Sequence, residues 1–600
     1  MEGGGPITIG HHRDAGRPRR GRAGARRDAG GGAGDPSRAL WIGALALLTL
    51  RGIAAMLPGR WLWGLDLARD LPPAASWTAA VAVLAACVPA ASRGLARRWP
   101  TAGVAHTVIV LAGSLALALF VFGHPDETLF TGDTALRHGE FTTVEHPEAF
   151  APQALRGDLF LHHTLPRWLA GVTPWSAEDV GRGQGALLAF LTALAGWRLA
   201  RTLGVRGVAA AAVAALVASS AALALDNGYS KATVEVACLT SLLIPGLVRL
   251  AESGRGLAAV GACVAAALLL HRSALALLPV WLVGVGLALR SGRGREPQTW
   301  IGVALPLAAL ASTLPFLVRV ITGFDRFHHL TAEGTAPPFS AAFHAPHLLD
   351  VANVLCLLAP VAPLLPWLMS QPPRPQPRAL ALMAALALPP VLLVLLVPPQ
   401  QGLPRDWDVF AFAGSALAAV AAWRVASIVA PAPRAAQGAA LAPALAALIP
   451  ALQWASLPAD PVRFMARAES ILEGPPLRGQ EERAQGLATL GLTRYTRGDP
   501  RGGRRLLLRS MEISPHPRRL VDWGTVANLY GRPDEAIVYF LRSTEINPDL
   551  TSAWQGLAQS AAALADTAHL RAATVQLQRL EPDGAALRTA RERLQALSTR

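Results

Sequence analysis

The 600-residue sequence has little charge, few cysteines and a single lysine, and each shortage argues against a class of protein. Only 16% of its residues are charged and 52% are hydrophobic, with a mean hydropathy of +0.35, which is too apolar for an ordinary soluble enzyme. The four cysteines lie in apolar runs and lack metal-ligand spacing: Cys87, Cys238, Cys263 and Cys356. Disulfides and a zinc site are therefore not expected. The composition predicts an integral membrane protein.

Nearly all of the positive charge is carried by arginine, and the positions of the arginines are more informative than the net charge. The formal net charge is +15, but the arginines form short clusters between apolar runs, where positive charge orients a chain in a membrane. We therefore expect no nucleic-acid partner. Residues 1–38 are rich in Gly, Ala and Arg and are interpreted as a disordered basic arm on the cytoplasmic side. This arm either anchors the topology or contacts anionic membrane lipids.

Long apolar runs fill most of the first three quarters of the chain. A helix needs about 20 mostly apolar residues to cross roughly 30 Å of hydrocarbon. We predict an all-α, polytopic membrane domain over residues 39–454, with an outer loop at 124–183. It would hold about 12–13 transmembrane helices, near residues 39–57, 74–92, 102–123, 184–203, 207–225, 232–250, 257–272, 274–290, 299–320, 348–369, 379–398, 409–430 and 437–454.

The distribution of charge between these runs predicts which side each loop occupies. If the basic N-terminus is cytoplasmic, most arginine clusters fall on the cytoplasmic side and most acidic residues on the outer side. Thirteen spans then place the C-terminal tail outside, and a miscount of one span would reverse this. The richness in Ala, Arg and Gly is typical of a GC-rich bacterial genome. It predicts a multi-pass protein of the bacterial inner membrane with a periplasmic tail.

The tail, residues 455–600, repeats itself. Pro515, Pro548 and Pro582 are 33 and 34 residues apart, and Trp523-Gly524 recurs in phase as Leu490-Gly491 and Leu557-Ala558. This pattern resembles the tetratricopeptide repeat, a helix–turn–helix unit of about 34 residues that stacks into an α-solenoid. The resemblance implies a soluble repeat domain. Such a domain either caps the membrane part or offers a concave groove to a peptide or partner protein.

The outer loop at 124–183 carries the first candidate for chemistry. It contains FTGDTALR, where Asp133 lies near the apolar Phe130 and is expected to be close to the membrane surface. A carboxylate in such surroundings acquires a raised pKa and suits proton transfer. Asp133 is therefore our first candidate for a general base, followed by Asp126 and Glu127. The structural alternative for Asp133 is the N-cap of a short helix starting at Thr134.

Several short motifs resemble the polytopic glycosyltransferases of the GT-C fold, which use sugars carried on a polyprenyl phosphate. The motifs are Gly132-Asp133, DNGYSKATVE at 226–235, HRSALALLP at 271–279, FSAAFHAPHLLDVANVLCLLAP at 339–360 and RDWDVFA at 405–411. The resemblance implies a GT-C-like fold, an aspartate base on an early outer loop, a polyprenyl-phosphate-linked sugar and a protein or glycan acceptor. Because the loop lacks a strict Asp-x-Asp pair, the use of a divalent metal stays open.

Cationic residues at the outer ends of predicted spans are candidates for binding the carrier phosphate. Lys231 lies beside Tyr229 and Ser230, and it either binds phosphate or reaches the interface without a ligand. His271 and Arg272 join two apolar runs, and they either bind phosphate or form a simple turn. The i,i+4 spacing predicts that Lys231 pairs with Glu235.

The segment RDWD at the mouth of a later span is a candidate for contact with the sugar. Arg405 is followed by Asp406 and Asp408. We favour pairing of these carboxylates with the arginine, together with contact to substrate, over metal binding.

Two other functions compete with glycosyl transfer. One is an O-antigen polymerase or ligase, although the large loop of that class comes late among the spans and here comes early. The other is a membrane-anchored scaffold for cell-envelope assembly whose repeats bind a partner protein. The combination of spans and repeats also resembles the transmembrane and tetratricopeptide-repeat O-mannosyltransferases, which favours protein glycosylation.

Overall fold

The computed structural model describes residues 36–132, 134–137, 144–323, 342–397, 399 and 401–598. Within these ranges every regular element is helical and no β-strand occurs. The all-α prediction is therefore confirmed for the described part of the chain. Asp133 and residues 1–35 of the basic arm lie outside it.

The membrane part consists of long apolar helices joined by short helical turns. Its α-helices are α1 (Pro36–Met56), α2 (Pro73–Cys87), α3 (Pro89–Arg98), α4 (Gly103–Phe122), α5 (Thr134–Arg137), α6 (Pro147–Phe150), α7 (Arg156–Leu159), α8 (Leu165–Val172), α9 (Ala177–Thr202), α10 (Val208–Ala218), α11 (Thr233–Ser253), α12 (Leu257–Leu270), α13 (Leu278–Arg290), α14 (Pro297–Val320), α15 (Ala345–Leu358), α16 (Leu365–Ser370), α17 (Pro377–Leu396), α18 (Ala411–Val429), α19 (Arg434–Gln437) and α20 (Leu441–Ser456).

The number of spans is smaller than predicted. Eight helical segments of the described residues are long and apolar enough to cross a membrane, or up to ten if each of two bent pairs forms one span. The apolar runs at 207–225 and 257–272 contain only the short α-helices α10 and α12, of 11 and 14 residues, and a 3₁₀ turn at Ala221–Ala224 follows α10. At about 1.5 Å per residue, neither reaches the roughly 30 Å of a hydrocarbon core. Eight apolar helices still fit a multi-pass membrane protein.

An arginine stabilises the bend in one of these pairs. The axis of α15 turns by 101° into the segment that contains α16, at a short break that leaves backbone carbonyls without helical partners. Arg51 of α1 donates to the carbonyl of Pro360 in this break (2.9 Å), and so replaces a hydrogen bond that a continuous helix would make. Arg424 of α18 donates to the carbonyl of Leu368 in the last turn of α16 (3.0 Å).

The tail folds as consecutive helix pairs. Its helices are α21 (Pro461–Glu473), α22 (Gln480–Thr496), α23 (Pro500–Ile513), α24 (Pro517–Leu529), α25 (Pro533–Ile546), α26 (Thr551–Ala563), α27 (Thr567–Leu580) and α28 (Ala585–Ser598). The repeated prolines at 515, 548 and 582 lie in the turns between pairs. The ring of Phe540 packs where a Cβ at Gly524 or Gly556 would stand, so small residues allow adjacent helices to approach closely. The tetratricopeptide assignment itself stays a prediction.

The first tail helices share a core with the membrane part. Phe464 and Leu472 of α21 and Leu487 of α22 belong to the same buried apolar cluster as the spans, whereas helices from α24 onward form clusters of their own. The change of composition near residue 455 is therefore not a break in packing.

A buried group of four charges fastens α21 to the loop between α1 and α2. Asp66 accepts hydrogen bonds from Arg60 (3.0 Å) and Arg467 (2.8 Å), and Asp70 accepts from Arg60 (2.6 Å) and also from Arg467. All four side chains are largely shielded from solvent. We call this group the docking quartet. Because it holds two positive and two negative charges, the burial of each is compensated.

Further contacts extend the docking surface across other loops of the same face. Arg497 pairs with Glu127 (2.8 Å). Arg478 donates to Asp350 (3.1 Å). The tail therefore lies on the face that holds the loops near 57–72, 124–132 and 342–350, all of which the charge distribution assigns to one side.

Candidate functional site

A buried charge pair lies where two loops meet at the start of α18. Asp408 is in a short 3₁₀ turn that leads into α18, and its carboxylate is fully buried. Its Oδ2 accepts a hydrogen bond from the Tyr229 hydroxyl (2.5 Å) and lies 3.2 Å from Nζ of Lys231. Its Oδ1 has no hydrogen-bond partner among the described residues. One carboxylate oxygen is therefore held by Tyr229 and Lys231, whereas the other is buried without a hydrogen-bond partner among the described residues.

The backbone of the predicted Gly-Asp motif touches this carboxylate. Gly132 has a φ of +50°, and a Cβ there would overlap the carboxylate of Asp408. Its N–H donates to the carbonyl of Arg405 (3.1 Å), and Nε of Arg405 donates to the carbonyl of Phe130 (3.0 Å). Only glycine allows this approach. The structure thus brings the neighbour of Asp133 together with Arg405, Asp408 and Lys231, while Asp133 itself lies outside the described residues.

A second buried pair, which the sequence analysis did not predict, joins the outer loop to the segment before α11. Arg137 and Asp158 form two parallel hydrogen bonds of 3.1 and 3.0 Å, and both side chains are buried. Arg137 also donates to the carbonyl of Ser230 (2.8 Å), and Asp158 accepts from the backbone N–H of Ala232 (3.1 Å). These bonds fix the position of the intervening Lys231. The sequence shows Arg137 shortly after FTGD and before the segment 155–168, in which leucines alternate with polar residues. No local pattern indicates that Asp158 is its partner.

The predicted pairing of Lys231 with Glu235 is wrong. Nε2 of His162, in a π-helical turn, lies 3.3 Å from Oε2 of Glu235. Lys231 precedes α11, which begins at Thr233, so the i,i+4 geometry of a helix does not apply to it. Burial alone would lower the pKa of His162, but the charge of Glu235 and the hydrogen bond to it outweigh burial and raise it. The imidazole is thereby favoured in its charged form.

His271 and Arg272 lie near the same cations. His271 stands between the end of α12 and the apolar segment that begins at Arg272, and its Nδ1 accepts from the backbone N–H of Ser273 (3.2 Å). Its Nε2 is buried without a partner among the described residues. Burial, and then the charges of Arg272, Lys231 and Arg137, lower the pKa of His271 well below its usual value. A neutral imidazole beside three cations suits an anionic ligand, so the phosphate role stays a prediction.

Three other predicted residues lie in structural positions. Oδ1 of Asp126 accepts from the N–H (2.8 Å) and hydroxyl (2.7 Å) of Thr128 and so closes a turn. Glu127 is the half-exposed partner of Arg497 in the tail. Asp406 accepts from the N–H of Gln401 (3.2 Å). Within the described ranges, the ion pair of Lys231 is with Asp408 and with none of these three.

We call the following set the buried charged cluster: the buried residues Arg137, Asp158, His162, Tyr229, Lys231, Glu235, His271 and Asp408, together with the half-buried Arg272 beside His271. In the described part of the chain no three His, Cys, Asp or Glu side chains are arranged to hold a metal ion. The cluster therefore offers cations, a neutral imidazole and a carboxylate oxygen to a ligand.

No protein-family model and no curated protein sequence matches this chain.

The docked tail also reaches the loop that carries Arg405, and this contact predicts a pH dependence. Gly402 packs against the carboxylate of Glu482 in α22. Burial raises the pKa of Glu482 to about 8; the charges of Asp350 and Asp406 add to this, and that of Arg478, 3.7 Å away, opposes it.

We expect the docked tail to lose stability as pH rises from about 4.5 to about 8. Glu482 holds its proton in the docked state up to about pH 8 but ionises near its usual value once exposed. Its contribution is thus fully present below the exposed pKa and is lost by the time pH has risen through about 8. The melting temperature of the purified protein should fall between about pH 5 and pH 8, and Glu482→Gln should flatten this fall. Equal slopes for the two proteins would contradict the assignment.

Proposed function

We propose that this chain is a membrane glycosyltransferase that moves a sugar from a polyprenyl-phosphate donor to a protein or glycan acceptor. The observation that carries the proposal is the buried charged cluster at the ends of membrane-spanning helices. There the loop of Asp133 meets Asp408, Lys231 and Arg405. A buried charge at such a site is costly unless it serves structure or binding. The cluster has the composition that transfer from a lipid phosphate requires.

In the proposed reaction the acceptor hydroxyl attacks the anomeric carbon of the donor, and the bond between that carbon and the phosphate oxygen breaks. Asp133 takes the hydroxyl proton, and the lipid phosphate leaves with the bonding electron pair. Lys231, His271 and Arg272 stabilise the departing phosphate. Asp408 positions Lys231. Arg405 holds its own loop against the loop of Gly132, and Asp406 accepts from the N–H of Gln401 within the same loop.

The same proposal assigns the protein to the bacterial inner membrane with its N-terminus in the cytoplasm. The tail and the acidic loops share one face, which is what a periplasmic site with a docked periplasmic tail requires. The stacked helix pairs of the tail support tetratricopeptide repeats that hold the acceptor or a partner protein. An O-antigen polymerase or ligase, or a scaffold without catalysis, are the competing functions.

Alanine at Asp133 separates catalysis from scaffolding. An enzyme should lose its envelope glycan or glycoprotein product while the chain remains inserted and folded, because the proton acceptor is gone. The measurement compares products from cells with wild-type protein, Asp133→Ala and no protein. Glu145→Ala, on an exposed residue of the same loop, is the matched control. Normal product from Asp133→Ala would contradict the role of Asp133 and favour a scaffold.

A further inference from the structure

An apolar cavity of about 240 Å³ lies between helices α1, α2, α15 and α20. One end is closed by Arg467 of the tail helix α21, so the cavity belongs to the half of the membrane part that faces the tail. Its walls are mostly aliphatic and aromatic, among them Leu48, Trp63, Val83, Leu357, Leu445, Ile449 and Trp454. None of the cations of the buried charged cluster lines it.

The polar side chains in the wall are already bonded to the protein. Each donates to a protein oxygen: Arg51 to Pro360 (2.9 Å), Ser76 to Ala68 (3.2 Å), Gln453 to Ala75 (3.1 Å) and Arg467 to Asp66 (2.8 Å). Two N–H groups at the tail-side end, on Trp454 and Arg467, lack an acceptor among the described residues. A buried water needs about two to four polar partners, and apolar cavities of about 150 Å³ stay dry and take up benzene. Away from these two N–H groups, the cavity therefore suits hydrocarbon and not water.

The cavity opens towards the side of the bundle, next to Gly52 of α1 and Trp77 of α2. Gly52 lines it, and a Cβ at this position would find no atom within 4 Å. Trp77, at the rim on α2, is 71% exposed. Both helices are apolar, and α1 is long enough to span a membrane, so this opening faces lipid. The hydrocarbon available there is the chain of a lipid.

We propose that this cavity binds an acyl chain of a phospholipid from the leaflet on the tail side. The proposed carrier phosphate is assigned to Lys231, His271 and Arg272, which do not line the cavity, so this lipid is not the sugar donor. The bound chain fills the space beside the bend between α15 and α16. The lipid thus acts as a structural ligand, whether or not the chain transfers sugars.

A photoreactive phospholipid with a diazirine on one acyl chain tests the proposal. The full-length protein is reconstituted into vesicles of phosphatidylethanolamine and phosphatidylglycerol that contain this probe, irradiated and digested. We expect label on Val83 and Leu357, which are 2% and 6% exposed and so unreachable from bulk lipid. Because a Cβ at Gly52 meets no atom within 4 Å, Gly52→Leu should narrow the opening and abolish this label.

Gly113→Leu is the matched control, because a Cβ at Gly113 on α4 also meets nothing and this residue does not line the cavity. It should leave the label unchanged. Unlabelled Val83 and Leu357 in the wild type, or equal label in Gly52→Leu, would overturn the proposal.

Loss of label on adding a polyprenyl phosphate, but not a phospholipid, would assign the cavity to the carrier instead. If Gly52→Leu fails to insert, Ala80→Phe fills the same cavity from α2. The readout needs no sugar transfer, so it fails or succeeds independently of the proposed function.

Discussion

We expect Asp408→Asn to stop sugar transfer and to destabilise the protein at once. The substitution removes the carboxylate 3.2 Å from Lys231, in a site where both side chains are buried. Breaking a buried ion pair from one side costs about 3–5 kcal/mol, because the remaining charge loses its compensation. Loss of a positioned charge in an active site lowers the rate by about 10²–10³-fold. Product should be measured per inserted molecule, beside the melting temperature of the purified protein.

A double variant separates the two effects. Asp408→Asn combined with Lys231→Met removes both charges, and replacing a buried pair by uncharged groups is often close to neutral for stability. We expect the double variant to regain most of its melting temperature but no transfer, because the phosphate loses Lys231. Asp406→Asn is the control within the same segment, since Asp406 bonds to Gln401 and not to Lys231. If the double variant regains both stability and transfer, the pair is structural and the site lies elsewhere.

The sequence predicted several members of the site but not how they pair. Lys231, Arg405 and Asp408 stood out as charges at the ends of apolar runs, and the structure brings them together. The predicted partner of Lys231, Glu235, was wrong because the spacing rule for residues within a helix was applied to a residue that precedes α11. The actual partner is 177 residues away. Spacing rules describe neighbours on one helix and contain no information about such distant contacts.

The pairs Arg137–Asp158 and His162–Glu235 escaped prediction for a related reason. Arg137 and Asp158 both lie in the outer loop, and they reach the segment before α11 through hydrogen bonds to Ser230 and Ala232. His162 and Glu235 are 73 residues apart. In the segment 155–168, leucines alternate with Asp158, His162 and other polar residues, a pattern typical of an amphipathic helix whose polar face is solvated. In the structure these positions are buried because the loop folds back onto the bundle.

The fold class followed from composition, whereas the span count did not. Apolar run length predicts where helices form, but α10 and α12 end early, at turns that hold Ser219 and His271. The apolar character of a run does not reveal where an α-helix ends within it and a turn or a 3₁₀ segment begins. The shared face of the tail and the acidic loops is independent of the count, because direct contacts such as Arg497–Glu127 establish it.

The second large effect concerns the attachment of the tail, and we expect Arg467→Met to release it. Arg467 supplies one of the two positive charges of the docking quartet, and its side chain is 2% exposed. Without it, Asp66 and Asp70 share Arg60 alone, which leaves a buried negative charge and should cost about 3–5 kcal/mol. Released helices expose the linker around residues 474–479 to protease. Cleavage there should therefore become faster, with the membrane part still inserted.

Arg463→Met tests whether this effect belongs to the quartet or to any arginine of α21. Arg463 lies on the same helix and pairs with Asp460 at 2.8 Å, but both side chains are largely exposed. Exposed pairs contribute only about 0–1 kcal/mol, so this variant should be cut at the wild-type rate. Equal cleavage of the two variants would mean that apolar contacts of α21 hold the tail. In that case loops 57–72 and 124–132 would keep their positions without the quartet, and Arg467→Met would leave the site near Asp408 unchanged.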